Sequence, residues 1–168
     1  MKRLTIVRSL TAIAGTATLT VLTQSVSGAQ ATGQAAPPAA AQTAGKRAII
    51  PAGGRAGGML SPGIMVGNTL YMSGQLPAGN MRDSGITAQT KSALERFRPV
   101  LEAAGMTFAD VVSVQVYLVD VADFTGFNAA YREVFTTDPR PTRTTVVVRQ
   151  LVQEGARVEL TMTAVKTP

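Results

Sequence analysis

The chain contains no cysteine and no histidine, so its chemistry must come from other side chains. This composition excludes disulfides, thiolate nucleophiles, imidazole general bases and the usual zinc ligand sets. Carboxylates, arginine, lysine, hydroxyls and backbone groups remain as candidates. One place of interest is Ser73-Gly74-Gln75 at the end of a predicted strand, because a glycine there permits an irregular backbone or a close approach by another group.

The elements that would position such groups follow from hydrophobic periodicity. Apolar residues recur at helical spacing over 86–104 and 121–135, and Pro99 is expected to kink the first of these helices or make one turn irregular. The predicted strands are 48–50, 64–66, 70–72, 112–118, 143–148 and 157–166. This order predicts an α+β fold with two helices on one face of a mixed sheet.

The last predicted strand carries two different faces. Leu160, Met162 and Ala164 alternate with Thr161, Thr163 and Val165. The second face is therefore semi-apolar and has no helix to cover it, which predicts oligomerisation.

The N-terminus has the layout of an export signal. Lys2, Arg3 and Arg8 precede an uncharged run from Leu10 to Leu22, which is too short for a membrane span. The small residues Ser27 and Ala29 predict a signal peptide over 1–29, cleaved after Ala29, with a periplasmic or secreted mature protein that keeps no stable membrane anchor. An uncleaved N-terminal anchor is the alternative. No cysteine follows the apolar run, which argues against a lipoprotein.

Residues 30–47 are rich in Ala, Gln, Pro and Gly and predict a disordered linker, so the folded domain is expected over 48–168. Cleavage would remove three basic side chains from a chain of formal charge +6. The remaining charge needs no nucleic acid partner to explain it, because no Lys/Arg stripe is interleaved with aromatics.

Several ordered motifs together indicate a family. They are VGNTLYMSGQLP at 66–77, VLEAAG at 100–105, VD, DF and FNAAY within 119–131, PTR at 141–143, and VEL at 158–160. Over about residues 59–166 the chain resembles the YjgF/RidA family of reactive intermediate deaminases. The resemblance implies a chorismate-mutase-like fold, a homotrimer whose sheets close into a central barrel, and active sites in the clefts between subunits.

The resemblance also implies a reaction. Active family members hydrolyse enamine and imine intermediates to 2-oxo acids and ammonia, with no metal or organic cofactor. Arg143 matches the family's signature arginine, and its planar fork would bind a substrate carboxylate bidentately. Glu159 matches the family's acidic residue, which positions or activates the attacking water. The alternatives are a surface strand arginine and a solvated or salt-bridging glutamate.

Ser73 and Gly74 match the segment that borders the cleft in the family, so they are candidate substrate-binding residues. Asn128 and Tyr131 also match a family pattern, but their three-residue spacing on a helix favours a structural role. Asp120 and Asp123 are predicted to cap the start of that helix.

Two positions depart from the family pattern and complete the candidate substrate-binding set. Thr145 stands where many active deaminases have a cysteine, and Leu60 aligns with a tyrosine of the loop before the first hairpin. Small imino acids are therefore not assured as the best substrates.

The leading hypothesis is an imine/enamine hydrolase acting on a small carboxylate-bearing substrate. The alternative is a non-catalytic trimeric module that binds a small carboxylate in the same clefts. A ribonuclease, as some relatives are labelled, is not supported, because the chain lacks histidine and a dense basic groove.

Overall fold

A computed structural model of the chain describes residues 45–167. The predicted signal peptide and all but the last three residues of the predicted linker lie outside these residues. None of the helices within 45–167 is long and apolar enough to cross a membrane. The strands are β1 (Arg47–Ile49), β2 (Gly63–Val66), β3 (Thr69–Gln75), β4 (Val111–Leu118), β5 (Thr142–Val147) and β6 (Val158–Val165), and the α-helices are α1 (Ile86–Glu95), α2 (Arg98–Ala103) and α3 (Phe124–Val134).

The six strands form one mixed sheet in the order β1-β2-β3-β6-β4-β5. All neighbours are antiparallel except β4 and β5, which are parallel. The expected hairpin is present, with β2 and β3 joined through Gly67 and Asn68. Gly67 has a φ of 61°, a left-handed conformation that glycine adopts without steric cost.

The inner strand β6 defines the two faces of the sheet. Its residues Leu160, Met162 and Ala164 are buried against the helices, while Thr161 and Thr163 lie half-buried on the opposite face. We call this opposite side the open face. The predicted mixed sheet with helices on one side is therefore confirmed.

The first predicted helix is interrupted. Instead of one kinked helix over 86–104, α1 ends at Glu95 and α2 starts at Arg98, with Pro99 in the first turn of α2. Proline is well accepted there, because the N–H groups of a first turn have no partner within the helix. Leu94, Phe97 and Leu101 still reach the core, since the break preserves the direction of the apolar side chains.

The segment from β4 through α3 to β5 is a crossover between parallel strands. Val114, Val116 and Leu118 of β4 are buried, as their alternation predicts. Val112 is 44% exposed, because an irregularity between Val111 and Ser113 shifts the register before the regular alternation starts. This crossover places α3 beside the outermost strand, β5.

The predicted capping at the start of α3 is half correct. The Asp120 side chain accepts a hydrogen bond from the Ala122 N–H and caps the 3₁₀ turn Val121–Asp123. Asp123 caps nothing through its side chain. Asp123 is buried, and its two carboxylate oxygens accept hydrogen bonds from Nε and Nη2 of Arg157. This carboxylate therefore forms an ion pair instead of a helix cap.

Gln89 of α1 fastens two loops to the domain. It is fully buried, and its side-chain amide donates to the carbonyls of Met81, Ser84 and Gly155 at 2.8, 3.2 and 3.0 Å. Its carbonyl accepts from the Arg157 N–H at 2.8 Å. The side chain thus satisfies four backbone groups that have little access to water.

We expect Gln89→Leu to lower the free energy of unfolding by about 2–4 kcal/mol, because several backbone groups would stay buried without partners. Urea titration followed by circular dichroism measures this loss. The matched control, Gln150→Leu at an exposed position, should stay within about 0.5 kcal/mol of the wild type. Equal effects of the two substitutions would show that the Gln89 hydrogen bonds contribute nothing.

Candidate active site

Glu159 and Gly74 lie against each other on the open face. Glu159 is half-buried on β6, where it pairs in register with Tyr117 of β4. An irregularity in the β3–β6 pairing between Met72 and Gln75 brings the Gly74 backbone toward the Glu159 carboxyl group. A β-carbon on Gly74 would lie 3.3 Å from Glu159 Cδ and would overlap its Oε1. Any side chain at position 74 would therefore force the Glu159 carboxyl group to move.

Ser73 ties this part of β3 to the preceding loop. Its hydroxyl donates to the Ser61 carbonyl at 2.7 Å, and its backbone N–H donates to the Pro62 carbonyl at 3.0 Å. Leu60, next along the loop, is 67% exposed. Ser73, Gly74, Glu159 and the Leu60 loop therefore form one cluster, which we call the β3–β6 group.

Under the hypothesis of an imine hydrolase, Gly74→Ala should lower kcat at least about tenfold, because the new methyl group would displace the Glu159 carboxylate from its place. Steady-state kinetics with an imine substrate measures the loss, and the melting temperature reports the fold. Gly85→Ala is the matched control, since its β-carbon would meet nothing within 4 Å and its φ of −64° suits any residue. Unchanged turnover in Gly74→Ala would contradict the hypothesis that the Glu159 carboxylate acts on the attacking water.

Arg143 lies elsewhere, on the helix-bearing face of β5. It pairs in register with the buried Val114, so its side chain emerges beside α3. Its Cζ lies 4.8 Å from the ring centroid of Tyr131, 5.3 Å from that of Phe127 and 5.8 Å from that of Phe124. These distances are typical of cation–π contacts. Among residues 45–167, Arg143 forms no ion pair with a carboxylate.

Two hydroxyls accompany Arg143. Thr145 follows on the same face of β5, and its Oγ1 is buried without a hydrogen-bond partner among the described residues. The Tyr131 hydroxyl is buried and unpartnered in the same way. Burial raises the pKa of Tyr131 to about 12, although the nearby Arg143 charge opposes this shift. We call Arg143, Thr145 and Tyr131 the β5–α3 group.

One chain does not bring the two groups together. Arg143 and Glu159 lie on opposite faces of the sheet and on strands separated by β4. The register also offsets the two residues by three positions along the strands. Strand geometry therefore separates their Cα atoms by roughly 14 Å. A small imino acid cannot span this distance.

Five cavities within residues 45–167 lie away from both groups. One of about 510 Å³ lies among α1, α2 and α3 and is lined by Lys91, Glu95, Arg98, Phe108 and Glu133, with other neighbours. None of the predicted site residues lines it. Its charges are paired, since Lys91 contacts Glu133 and Arg98 contacts Glu95 at 2.8 Å each. The candidate catalytic and substrate-binding residues lie instead in the β3–β6 group and the β5–α3 group.

Sequence reasoning missed the aromatic contacts of Arg143. Tyr131 was predicted to have a structural role, and both it and Phe127 are buried. Their second role follows from the parallel pairing of β4 and β5, which sets α3 against β5. The spacing of Phe124, Phe127 and Tyr131 by three and four residues was the available signal.

Comparison with known proteins agrees with this fold. The family model for endoribonuclease L-PSP matches residues 54–166. A RutC family protein of Saccharolobus solfataricus is 40% identical over 114 residues, covering 66% of this chain and 89% of the relative. The 2-iminobutanoate/2-iminopropanoate deaminase of Capra hircus is 36% identical over 115 residues, covering 66% and 82%.

Among solved structures, a member of the YjgF/YER057c/UK114 family from Mycobacterium tuberculosis superposes with a TM-score of 0.63 at 26% identity. The match covers 73% of this chain and all of the other. The chain therefore shares with this structure the architecture of a mixed sheet that carries its helices on one face. The chain belongs to the YjgF/RidA family, whose model carries the endoribonuclease L-PSP description, and the family predicted from the motifs is confirmed.

Proposed function

We propose that the protein hydrolyses 2-imino acids and their enamine tautomers to 2-oxo acids and ammonia. Relatives from goat, human and cattle that are 32–36% identical bear the name 2-iminobutanoate/2-iminopropanoate deaminase. The observation that carries the proposal is Arg143, an exposed guanidinium that rests on aromatic rings and has no carboxylate partner within residues 45–167. Such a group suits a substrate carboxylate.

The reaction assigns one task to each group. Arg143 holds the substrate carboxylate through two parallel hydrogen bonds, which fixes the adjacent imine carbon. Glu159 accepts a proton from water as the water oxygen bonds to the carbon of the protonated imine, whose C=N π electrons move to the nitrogen, giving a neutral tetrahedral carbinolamine. Glu159 then gives this proton to the amino nitrogen. The carbon–nitrogen bond breaks as the hydroxyl oxygen forms the carbonyl and loses its proton to Glu159, and ammonia leaves. Ser73 and Gly74 border the water side of this cleft.

The proposed cleft forms between two copies of the chain. The β5–α3 group of one copy would face the β3–β6 group of the next, because a single chain holds them roughly 14 Å apart on opposite faces. Tyr71 and Val146 on the open face are 54% and 42% exposed, which supports an apolar contact between copies. A homotrimer whose open faces close into a central barrel would satisfy both requirements.

We propose that this reaction takes place outside the cytoplasm, in the periplasm or after secretion. The basic residues and short apolar run within 1–29 support export. N-terminal sequencing of the protein from a bacterial host should yield a chain starting at Gln30. A mature protein that keeps Met1 and stays in the cytoplasm would contradict export.

The direct experiment supplies freshly generated 2-iminobutanoate and measures 2-oxobutanoate and ammonia. The wild type should release both in equal amounts, faster than the uncatalysed hydrolysis. A rate equal to that of a protein-free control would contradict the proposed hydrolase. Binding of 2-oxobutanoate without any turnover would instead favour the non-catalytic carboxylate-binding module.

A further inference from the structure

The side chain of Arg143 needs support if it is to act as a fixed receptor. It lies on the outermost strand of the sheet and is exposed, so a free arginine there would sample many rotamers. Ordering such a side chain costs conformational entropy. A receptor that is ordered before the ligand arrives avoids this cost at the moment of binding.

The support comes from one face of α3. The rings of Phe124, Phe127 and Tyr131 lie under the guanidinium, and Tyr131 is the nearest of the three. Phe124 is 41% exposed, whereas Tyr131 is 7% exposed. Phe127 is fully buried, but its centroid is farther from the charge than that of Tyr131. Tyr131 is therefore the nearest ring, and it is also buried enough to fix the orientation of the charge.

Tyr131 is itself held in place by its neighbours. Its ring centroid lies 4.4 Å from that of Phe135 and 5.6 Å from that of Phe127. Phe135 in turn packs edge-on against Phe108 at 5.7 Å. A row of aromatic rings thus links the surface beneath Arg143 to the hydrophobic core.

The attraction is to the ring rather than to the hydroxyl. The Tyr131 hydroxyl has no hydrogen-bond partner among residues 45–167, and it stays protonated at ordinary pH. It offers Arg143 no negative charge. The electron-rich face of the ring remains, and it leaves the N–H edge of the guanidinium available to a ligand.

We propose that Tyr131 is a positioning residue whose ring holds the Arg143 guanidinium ready for a carboxylate. The identity of the ligand in this inference rests on the proposed function. The ordering of the Arg143 side chain in the unliganded protein does not depend on that function. Tyr131 touches neither substrate nor water in this account and acts through Arg143.

The first experiment needs no ligand. In NMR spectra of the unliganded protein, the Arg143 Nε–H group should be ordered and its Cδ protons should carry ring-current shifts. Tyr131→Leu should remove both features, and Tyr131→Phe should keep them. Phe97→Leu is the matched control, because it removes a fully buried ring of the same core that pairs with neither Tyr131 nor Arg143. An Arg143 signal unchanged by Tyr131→Leu would overturn the proposal.

The second experiment measures binding of 2-oxobutanoate by NMR titration. Tyr131→Leu should weaken binding roughly threefold to thirtyfold, with Tyr131→Phe and Phe97→Leu within about twofold of the wild type. In an Arg143→Ala background, Tyr131→Leu should have no further effect on binding. Equal weakening by Phe97→Leu would show a merely structural role and overturn the proposal.

Two safeguards keep the outcomes distinct. If Tyr131→Leu does not fold, Tyr131→Met replaces it, since methionine fills irregular core space without a ring. If the wild type binds no 2-oxobutanoate and hydrolyses no imine, the proposed function fails. The NMR signals of Arg143 then still decide whether Tyr131 positions it.

Discussion

Arg143→Ala should lower kcat/KM for 2-iminobutanoate at least about 100-fold, with the fold intact. The reason is the loss of two charge-assisted hydrogen bonds to the substrate carboxylate, each worth roughly 1.5–3 kcal/mol. The exposed guanidinium has no ion-pair partner within residues 45–167, so its removal leaves no buried charge behind. Steady-state kinetics and the melting temperature, measured on the same preparation, separate the two effects.

Two further variants sharpen this test. Arg143→Lys keeps the charge but loses the planar fork, so its kcat/KM should fall between those of the wild type and Arg143→Ala. Arg132→Ala removes an exposed arginine from α3 and should leave kcat/KM unchanged. A value for Arg143→Ala within threefold of the wild type would remove Arg143 from the site.

The second large effect concerns the proton. Glu159→Gln should lower kcat about 10²–10⁴-fold while KM changes by less than about threefold, because the amide keeps the shape of the carboxylate but cannot accept the proton from water. Stopped assays for 2-oxobutanoate measure kcat, and titration with 2-oxobutanoate measures binding separately. Binding should persist in this variant.

Glu133→Gln is the matched control for Glu159→Gln. Glu133 lies on α3, is 58% exposed at its side chain and pairs with Lys91 on the helix layer, far from the open face. It should not change kcat. If Glu159→Gln turns over substrate like the wild type, a carboxylate at this place is not the general base, and the binding-module alternative gains support.

Much of the fold follows from local patterns in the sequence. The residues Gly67-Asn68 predicted the hairpin between β2 and β3. The alternation along β6 predicted which residues face the helices and which face away from them, because burial in a strand repeats every two residues. The open face was predicted as well, since Thr161 and Thr163 face away from the helices. These features need only neighbours in the chain or in one sheet.

Other features depend on packing that no local pattern reveals. Asp123 stands where a helix cap is expected, but its buried carboxylate pairs with the half-exposed Arg157 instead. Pro99 starts a second helix rather than kinking one long helix. The contact of Gly74 with Glu159 arises from a register irregularity between β3 and β6, which residue spacing alone does not predict.

The candidate site residues were predicted from the family resemblance. Their positions relative to one another are set by the order of the strands in the sheet. Because β4 separates β6 from β5, Arg143 and Glu159 cannot meet within one chain. The same topology places Tyr131 under Arg143, a contact that spacing on α3 only suggests. Leu60 and Thr145, which depart from the family pattern, lie one in each group and would meet across the proposed cleft.

The most direct test of a cleft shared between copies is complementation between two inactive variants. Arg143→Ala and Glu159→Gln chains, co-expressed with different tags and purified as mixed oligomers, should regain imine hydrolysis. In a trimer that contains both variants, about one third of the clefts combine an intact Arg143 from one chain with an intact Glu159 from the next. Activity near that fraction of the wild type is the predicted result. Mixed oligomers no more active than either variant alone would contradict the account.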